Sequence, residues 1–272
     1  MEPKRDLAIV LRSIPYEERH RVVTALTENH GVLSALARNS IQSRRFGGTL
    51  EPFAAAEWMF VEKPGAELVR LDEARIRRSF EGLRKDFERL SMASLFNELM
   101  LRVASPRTPS PALFRLHSNA LALLEEGAGA SSVGAEIALL NAYLAKIFHW
   151  SGLQPRLAAC LECAMPLENV DADAHVGCLV TSAGWLCPSC RSPNIEFKVT
   201  PLVVLDLIQF ALYPLRQGQE LKKSSEKEHR ELFKFLEALL VYHLPGLDKA
   251  PLKSLRFLAL ESSVPHPAAS PR

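Results

Sequence analysis

Two pairs of cysteines constrain this chain more than any other feature of its sequence. Cys160 and Cys163 form one Cys-x-x-Cys motif, and Cys187 and Cys190 form a second, separated by a segment, 164–186, rich in turn-forming residues. Each motif can present two sulfurs to one ion, and four thiolates are the ligand set of a closed tetrahedral zinc site. The segment is slightly longer than the roughly 15–20 residues usual in such sites. The sequence therefore predicts a structural Zn²⁺ that staples a loop and performs no chemistry itself.

The remaining cysteine, Cys178, lies between the two pairs. It either packs as a fifth thiol or replaces one of the four ligands. Reduced thiols that hold a metal suit a cytosolic compartment. Residues 1–14 lack the pattern of a signal peptide, and no apolar run approaches the ~20 residues that span a bilayer. We therefore expect a cytoplasmic protein without a membrane segment.

The N-terminal part of the chain has the pattern of a small β-barrel. Apolar and β-branched stretches alternate with turn residues, and we expect one of the turns at 13–16. The expected strands are 7–11, 22–27, 32–38, 50–61 and 67–71. Five short strands in this length favour a five-stranded OB-type barrel. Periodicity alone does not separate it from an SH3-like barrel.

From Ile76 the apolar residues recur at three- and four-residue spacing, which is the helical period. The expected helical stretches are 76–103, 113–124, 136–150, 202–212 and 226–242. The predicted fold class is therefore α+β, with an N-terminal OB-type β-barrel followed by an all-α domain that carries the inserted four-cysteine zinc loop.

These patterns divide the chain into three segments. Residues 1–78 form the expected barrel domain, and residues 79–260 form the helical domain, with the zinc loop at 158–192. The tail, 261–272, is rich in proline, serine and alanine and is expected to be disordered.

The barrel offers candidates for nucleic-acid binding. OB barrels hold single strands through a basic groove and aromatic platforms, and the net charge of +2 means that any such surface must be local. The alternative is that Arg19 and Arg21 pair with Glu17 and Glu18 and that Phe46 plugs the barrel. The candidate DNA-binding residues are Arg19, Arg21, Arg38, Arg44, Arg45 and Phe46.

The sequence carries no catalytic constellation that we recognise. A zinc deaminase needs a His-x-Glu motif and a proline before its Cys-x-x-Cys pair. Here Gly177 stands two residues after His175, and the proline lies inside the second pair. We therefore expect a binding protein and not an enzyme.

Several motifs, in their order and spacing, resemble the RecO family of bacterial recombination mediators. The resemblance runs from about residue 7 to 260 and includes the two cysteine pairs. The other stretches that carry it are 13–18, 22–31, 43–45, 50–53, 184–186 and 252–258.

The resemblance implies an N-terminal OB-fold, a helical C-terminal domain and, as in many members, a zinc site. It implies binding to single- and double-stranded DNA, annealing of complementary strands, and help in loading a recombinase. The implied partners are RecR and the acidic, hydrophobic C-terminal tail of single-strand-binding protein, which places the protein with the nucleoid. The alternative is a zinc-containing protein–protein adaptor without direct DNA contact.

Overall fold

The computed structural model describes residues 2–41, 43, 45–127, 134–244, 247 and 252–258. The chain forms two compact units, Met1–Glu126 and Gly127–Arg272. Each unit has buried apolar residues of its own. The tail expected to be disordered, 261–272, lies outside the described residues.

The first unit contains a closed five-stranded barrel. Its strands are β1 (Lys4–Tyr16), β2 (His20–Thr27), β3 (Gly31–Ala37), β4 (Ala55–Val61) and β5 (Val69–Arg78). The strand order around the barrel is β1-β2-β3-β5-β4, and β4 closes onto β1. Only the pair between β3 and β5 is parallel in this barrel. This is the OB-type arrangement, so the predicted fold class is confirmed.

Strand β1 is long because two neighbours share it. Residues 4–9 pair with β4 and residues 8–16 pair with β2, and a bulge between Val10 and Arg12 bends the strand between the two partners. The expected turn at 13–16 is therefore wrong, because Pro15 pairs with Arg21 and the chain turns only after Tyr16. The proline is tolerated because this end of β1 pairs on one side only.

The barrel core alternates small and large side chains. Inward positions of β2 and β3 carry small residues such as Ala25 and Ala35, while β4 contributes the fully buried Trp58 and Phe60. Large rings fit across from small residues, so the two sizes together fill the narrow interior. The strand expected at 50–61 begins only at Ala55, because residues 45–52 form turns that lie against this core.

The β2–β3 turn is held by one buried carboxylate. Asp6 accepts hydrogen bonds from the Asn29 backbone N–H and the Asn29 side-chain amide, both at 2.9 Å, and contacts His30 Nδ1 at 2.7 Å. Gly31 follows with φ +68°, a left-handed conformation that glycine adopts without strain. A Cβ at Gly31 would overlap Thr108 O and lie 2.6 Å from Thr108 N.

We expect Gly31→Ala to destabilise the protein by about 3 kcal/mol, since left-handed strain and overlap with a backbone act together. Gly65→Ala is the matched control, because Gly65 also has positive φ but its Cβ would meet nothing within 4 Å. It should cost only about 1 kcal/mol. Urea unfolding of both variants measures the difference, and equal losses would contradict the close approach of Thr108.

Two helices complete the first unit, namely α1 (Phe87–Val103) and α2 (Pro111–Glu126), after a 3₁₀ turn at Glu81–Arg84. The helix expected from Ile76 begins later, because β5 continues to Arg78. Asn97 of α1 donates to the carbonyls of Val10 and Leu11 beside the bulge, and His117 Nε2 lies 3.0 Å from Asn97 Oδ1. Burial lowers the pKa of His117 to about 3, so this anchor between helix and barrel is uncharged.

The second unit is helical and carries a small sheet. Its elements are α3 (Gly134–Trp150), β6 (Val176–Leu179), β7 (Gly184–Leu186), β8 (Phe197–Val199), α4 (Pro201–Leu212), α5 (Leu215–Leu221) and α6 (Glu226–His243), with 3₁₀ turns at Leu167–Asn169 and Lys253–Phe257. Helix α3 packs against α4, α5 and α6. The three strands form a sheet in the order β7-β6-β8, and neither this sheet nor α5 was predicted from the sequence.

Candidate metal centre and nucleic-acid interface

The four paired cysteines come together in the second unit. The sulfurs of Cys160, Cys163, Cys187 and Cys190 all lie within 4.8 Å of one another. Cys163 Sγ lies 3.7 Å from Cys187 Sγ. A tetrahedron of sulfurs around Zn²⁺ with bonds of about 2.3 Å has edges of about 3.8 Å. The cluster therefore has the donor set and the spacing to hold a metal ion.

Local hydrogen bonds shape the first cysteine turn. Cys160 N–H donates to Met165 O at 2.9 Å, and Ala164 N–H donates back to Cys160 O at 3.1 Å, which closes a tight turn. Leu161 N–H donates to Trp185 O at 2.9 Å, so the turn is tied to β7. Trp185 is fully buried and leads directly into the second cysteine pair. The small sheet thus brings together two turns that are distant in sequence.

The electrostatics of the cluster favour a cation. Burial raises the pKa of the Cys160 thiol, but the backbone N–H groups of Cys163, Cys187 and Glu162 outweigh burial and lower this pKa to about 6. Hydrogen bonds with the sulfurs of Cys187 and Cys163 raise the pKa of Cys190. Negative charge at one sulfur opposes ionisation at the next, and a bound cation removes that opposition.

Cys178 is not part of the cluster. It lies in β6 between Trp185 and Phe197 of the neighbouring strands and is buried. Burial raises the pKa of its thiol to about 12, so it stays protonated. Of the two possibilities in the sequence, the structure favours a fifth thiol that packs.

Three exposed arginines lie at one end of the barrel. Arg19 is in the β1–β2 turn, and Arg38 and Arg45 are in the loop after β3. The loop is joined to the turn because Ile41 N–H donates to Arg19 O at 3.3 Å. Within the loop, Arg45 Nη2 donates to Arg38 O at 3.2 Å. We call Arg19, Arg38 and Arg45 the basic end. Within the described ranges, no carboxylate forms an ion pair with any of the three.

The other two candidate arginines, Arg21 and Arg44, are not part of the basic end. Arg21 Nη1 lies 2.7 Å from Glu51 Oε1, so its charge is offset by a carboxylate that the sequence analysis had not paired with it. Arg44 lies outside the described residues. Their part in DNA binding stays a prediction.

Phe46 is not an exposed aromatic. Its side chain is 2% exposed and belongs to the barrel core, and its carbonyl accepts from Thr49 N–H at 2.7 Å. Of the two possibilities for Phe46 in the sequence, its burial supports the barrel plug and contradicts a ring that is open to DNA, because the side chain packs into the barrel core. The guanidinium carbon of Arg45 lies 4.5 Å from the ring centroid, so Phe46 positions the arginine above it.

The end of β1 carries exposed residues that were not among the candidates from the sequence. Arg12, Ile14 and Tyr16 are exposed in this part of β1, and so is Pro15. Because residues 13–16 were interpreted as a turn, their exposed side chains were not considered as candidates. These side chains lie beside the basic end, since β1 pairs with β2 up to the turn that holds Arg19.

None of the helices in the described part of the chain is long and apolar enough to cross a membrane.

The closed five-stranded barrel defines a class of protein, the OB-fold proteins, which bind oligonucleotides or oligosaccharides. The sequence matches the family model "Recombination protein O N terminal" over residues 1–80 and "Recombination protein O C terminal" over residues 84–256. The chain therefore belongs to the RecO family of DNA repair proteins, and it has a role in DNA repair and recombination.

Individual RecO proteins are similar in sequence to this chain over most of its length. The chain is 34% identical over 251 residues to a DNA repair protein RecO of Anaeromyxobacter dehalogenans, covering 90% of this chain and 92% of that one. The corresponding protein of Rubrobacter xylanophilus is 33% identical over 248 residues, covering 89% and 92%. That of Myxococcus xanthus is 32% identical over 262 residues, covering 95% and 98%.

Proposed function

We propose that this chain binds single- and double-stranded DNA at the basic end of its barrel, anneals complementary strands, and helps load a recombinase onto strands coated by single-strand-binding protein. The observation that carries the proposal is the group of three exposed arginines without carboxylate partners among the described residues. Guanidinium groups neutralise phosphates and release condensed counterions. Arg21 and Arg44 extend this surface in the proposal.

Annealing follows from charge neutralisation. Two strands repel each other through their phosphates, and a surface that neutralises both allows them to approach. The chain then acts as a mediator that changes no covalent bond, in keeping with its family. A protein bound to DNA in this way locates to the nucleoid.

The metal in the cysteine cluster is Zn²⁺ in this proposal. Four thiolates with tetrahedral spacing are its usual structural ligands, and the set leaves no open position for a reacting group. The ion would hold the loop between α3 and α4 in place and leave DNA binding to the barrel.

The proposed protein partners are RecR and the tail of single-strand-binding protein, both by family membership. For the tail, an acidic and hydrophobic peptide, the second unit carries exposed apolar residues and cations within one short stretch of chain, 212–223. Leu212 at the end of α4 is 68% exposed, Tyr213 and Leu221 are also exposed, and Lys222 and Lys223 follow. Apolar side chains beside cations are the complement of such a peptide.

The test is annealing of complementary oligonucleotides coated with single-strand-binding protein, followed by fluorescence with and without the chain. We expect faster annealing at low salt and loss of the effect at high salt, because the contacts are electrostatic. A single-strand-binding protein without its acidic tail is the control, and it isolates the contribution of tail docking. Annealing at the uncatalysed rate under all conditions would contradict the proposal.

A further inference from the structure

The outer face of β1, β2 and β3 carries an uncovered apolar row. Ile14 pairs with Val22, and Val22 pairs with Leu36, so the three side chains lie side by side across three strands. They point away from the barrel core, whose members on these strands are the alternate residues. Ile14 is 38% exposed, and Val22 and Leu36 are half-buried.

Polar and aromatic residues border this row on the same face. Two residues further along each strand, and therefore on the same face, Arg12 pairs with Thr24 and Thr24 pairs with Ser34. On the other side, Tyr16 is 47% exposed and pairs with His20 at the end of the strands. We call Ile14, Tyr16, Val22 and Leu36 the Tyr16 face. An aromatic ring and aliphatic side chains thus lie between Arg12 and the basic end.

We propose that the Tyr16 face is a stacking platform for the unpaired bases of single-stranded DNA, with the ring of Tyr16 stacking on a base. The proposal rests on the proposed DNA-binding function and adds to it the part of the strand that is recognised. Aromatic rings with nearby cations are the combination by which proteins hold single strands without sequence preference. A duplex keeps the faces of its bases inside the stack, so only an unpaired strand can use this surface.

Charge indicates the path of the strand. The exposed carboxylates of the turn, Glu17 and Glu18, lie next to Tyr16 and would repel phosphates. Arg38 and Arg45 follow β3 on the other side of the row. The phosphates are therefore expected to run towards β3, while the bases lie over the apolar row. The platform takes over the role first assigned to Phe46, which is buried.

The test compares two labelled strands of equal length by fluorescence anisotropy, one of thymidines and one whose central sugars lack bases. Both offer the same phosphates, so their difference reports contacts to bases. We expect the wild-type chain to bind the thymidine strand roughly 5- to 100-fold more tightly, in the range of base–aromatic stacking. Tyr16→Ala should lose most of this preference, and Tyr16→Phe should keep it. Tyr242→Ala is the matched control, because Tyr242 is an exposed tyrosine on α6 in the other unit.

A second measurement needs no substitution. Irradiation of the wild-type chain with a strand that contains 5-iodouracil should cross-link the peptide that contains Tyr16. If the chain binds both strands equally, or Tyr16→Ala keeps the preference, the platform is wrong while DNA binding stands. If the wild-type chain binds neither strand, the proposed DNA function fails and the platform fails with it.

Discussion

Replacing Cys187 by serine is expected to release the proposed zinc ion and unfold the loop between α3 and α4. Cys187 is fully buried, and its sulfur lies 3.7 Å from that of Cys163. Structural zinc contributes its binding free energy, about 10–16 kcal/mol in small zinc domains, directly to folding. Serine is a poor ligand for zinc, so we expect the metal content to fall from about one ion per chain to near zero. The second unit should lose several kcal/mol of stability.

Cys178→Ala is the matched control for this prediction. Cys178 is equally buried in the same loop but lies outside the four-sulfur cluster. The control should keep the metal and lose only about 1 kcal/mol, as expected for a small core truncation. Elemental analysis and thermal unfolding with and without a chelator measure both effects. A natively folded wild-type chain without metal would contradict the assignment, as would full metal content in Cys187→Ser.

The triple variant Arg19→Ala, Arg38→Ala and Arg45→Ala is expected to bind single-stranded DNA roughly 100-fold more weakly at about 0.1 M salt. Each phosphate contact on a single strand contributes about 1 kcal/mol at this ionic strength through counterion release. The three side chains are exposed, so their removal should leave the barrel folded. Arg21 is left in place because its ion pair with Glu51 also holds the loop.

The control for the arginines removes the same charge elsewhere on the barrel. Arg5 and Arg77 pair with Glu57, and Arg75 pairs with Glu73. The variant Arg5→Ala, Arg75→Ala and Arg77→Ala should bind DNA within about threefold of the wild-type chain, because these charges are already offset by carboxylates. Equal losses in the two triple variants would mean that net charge, and not the basic end, controls binding.

Most of the fold could be predicted from the sequence, because several stretches have clear periodic patterns. The alternation through 32–38 and the helical spacing through 136–150 are strong periodic signals, and β3 and α3 lie there. The end of β1 was misread because Ser13 and Pro15 resemble a turn. That segment is a strand because pairing with β2 outweighs local preference, and no local pattern records such pairing.

The candidate sites could be predicted from the sequence to different degrees. The meeting of the four cysteines follows from spacing alone, since two Cys-x-x-Cys turns can meet only by folding the loop back. The small sheet that brings them together has strands of three or four residues, too short for a periodic signal. The sequence left two possibilities for Phe46, a DNA contact or a barrel plug, because whether a loop aromatic plugs the barrel depends on the space left between the strands. The proximity of Arg19 to Arg38 depends likewise on hydrogen bonds between two loops.

The measurement that tests direct DNA contact by the basic end is the slope of log affinity for a single strand against log salt concentration. Each neutralised phosphate contributes about −0.7 to this slope. We expect a slope of about −2 or steeper for the wild-type chain, and a slope shallower by about 2 for the variant without Arg19, Arg38 and Arg45. An affinity that does not change with salt, or a slope that the three substitutions leave unchanged, would contradict the account and favour an adaptor that does not touch DNA.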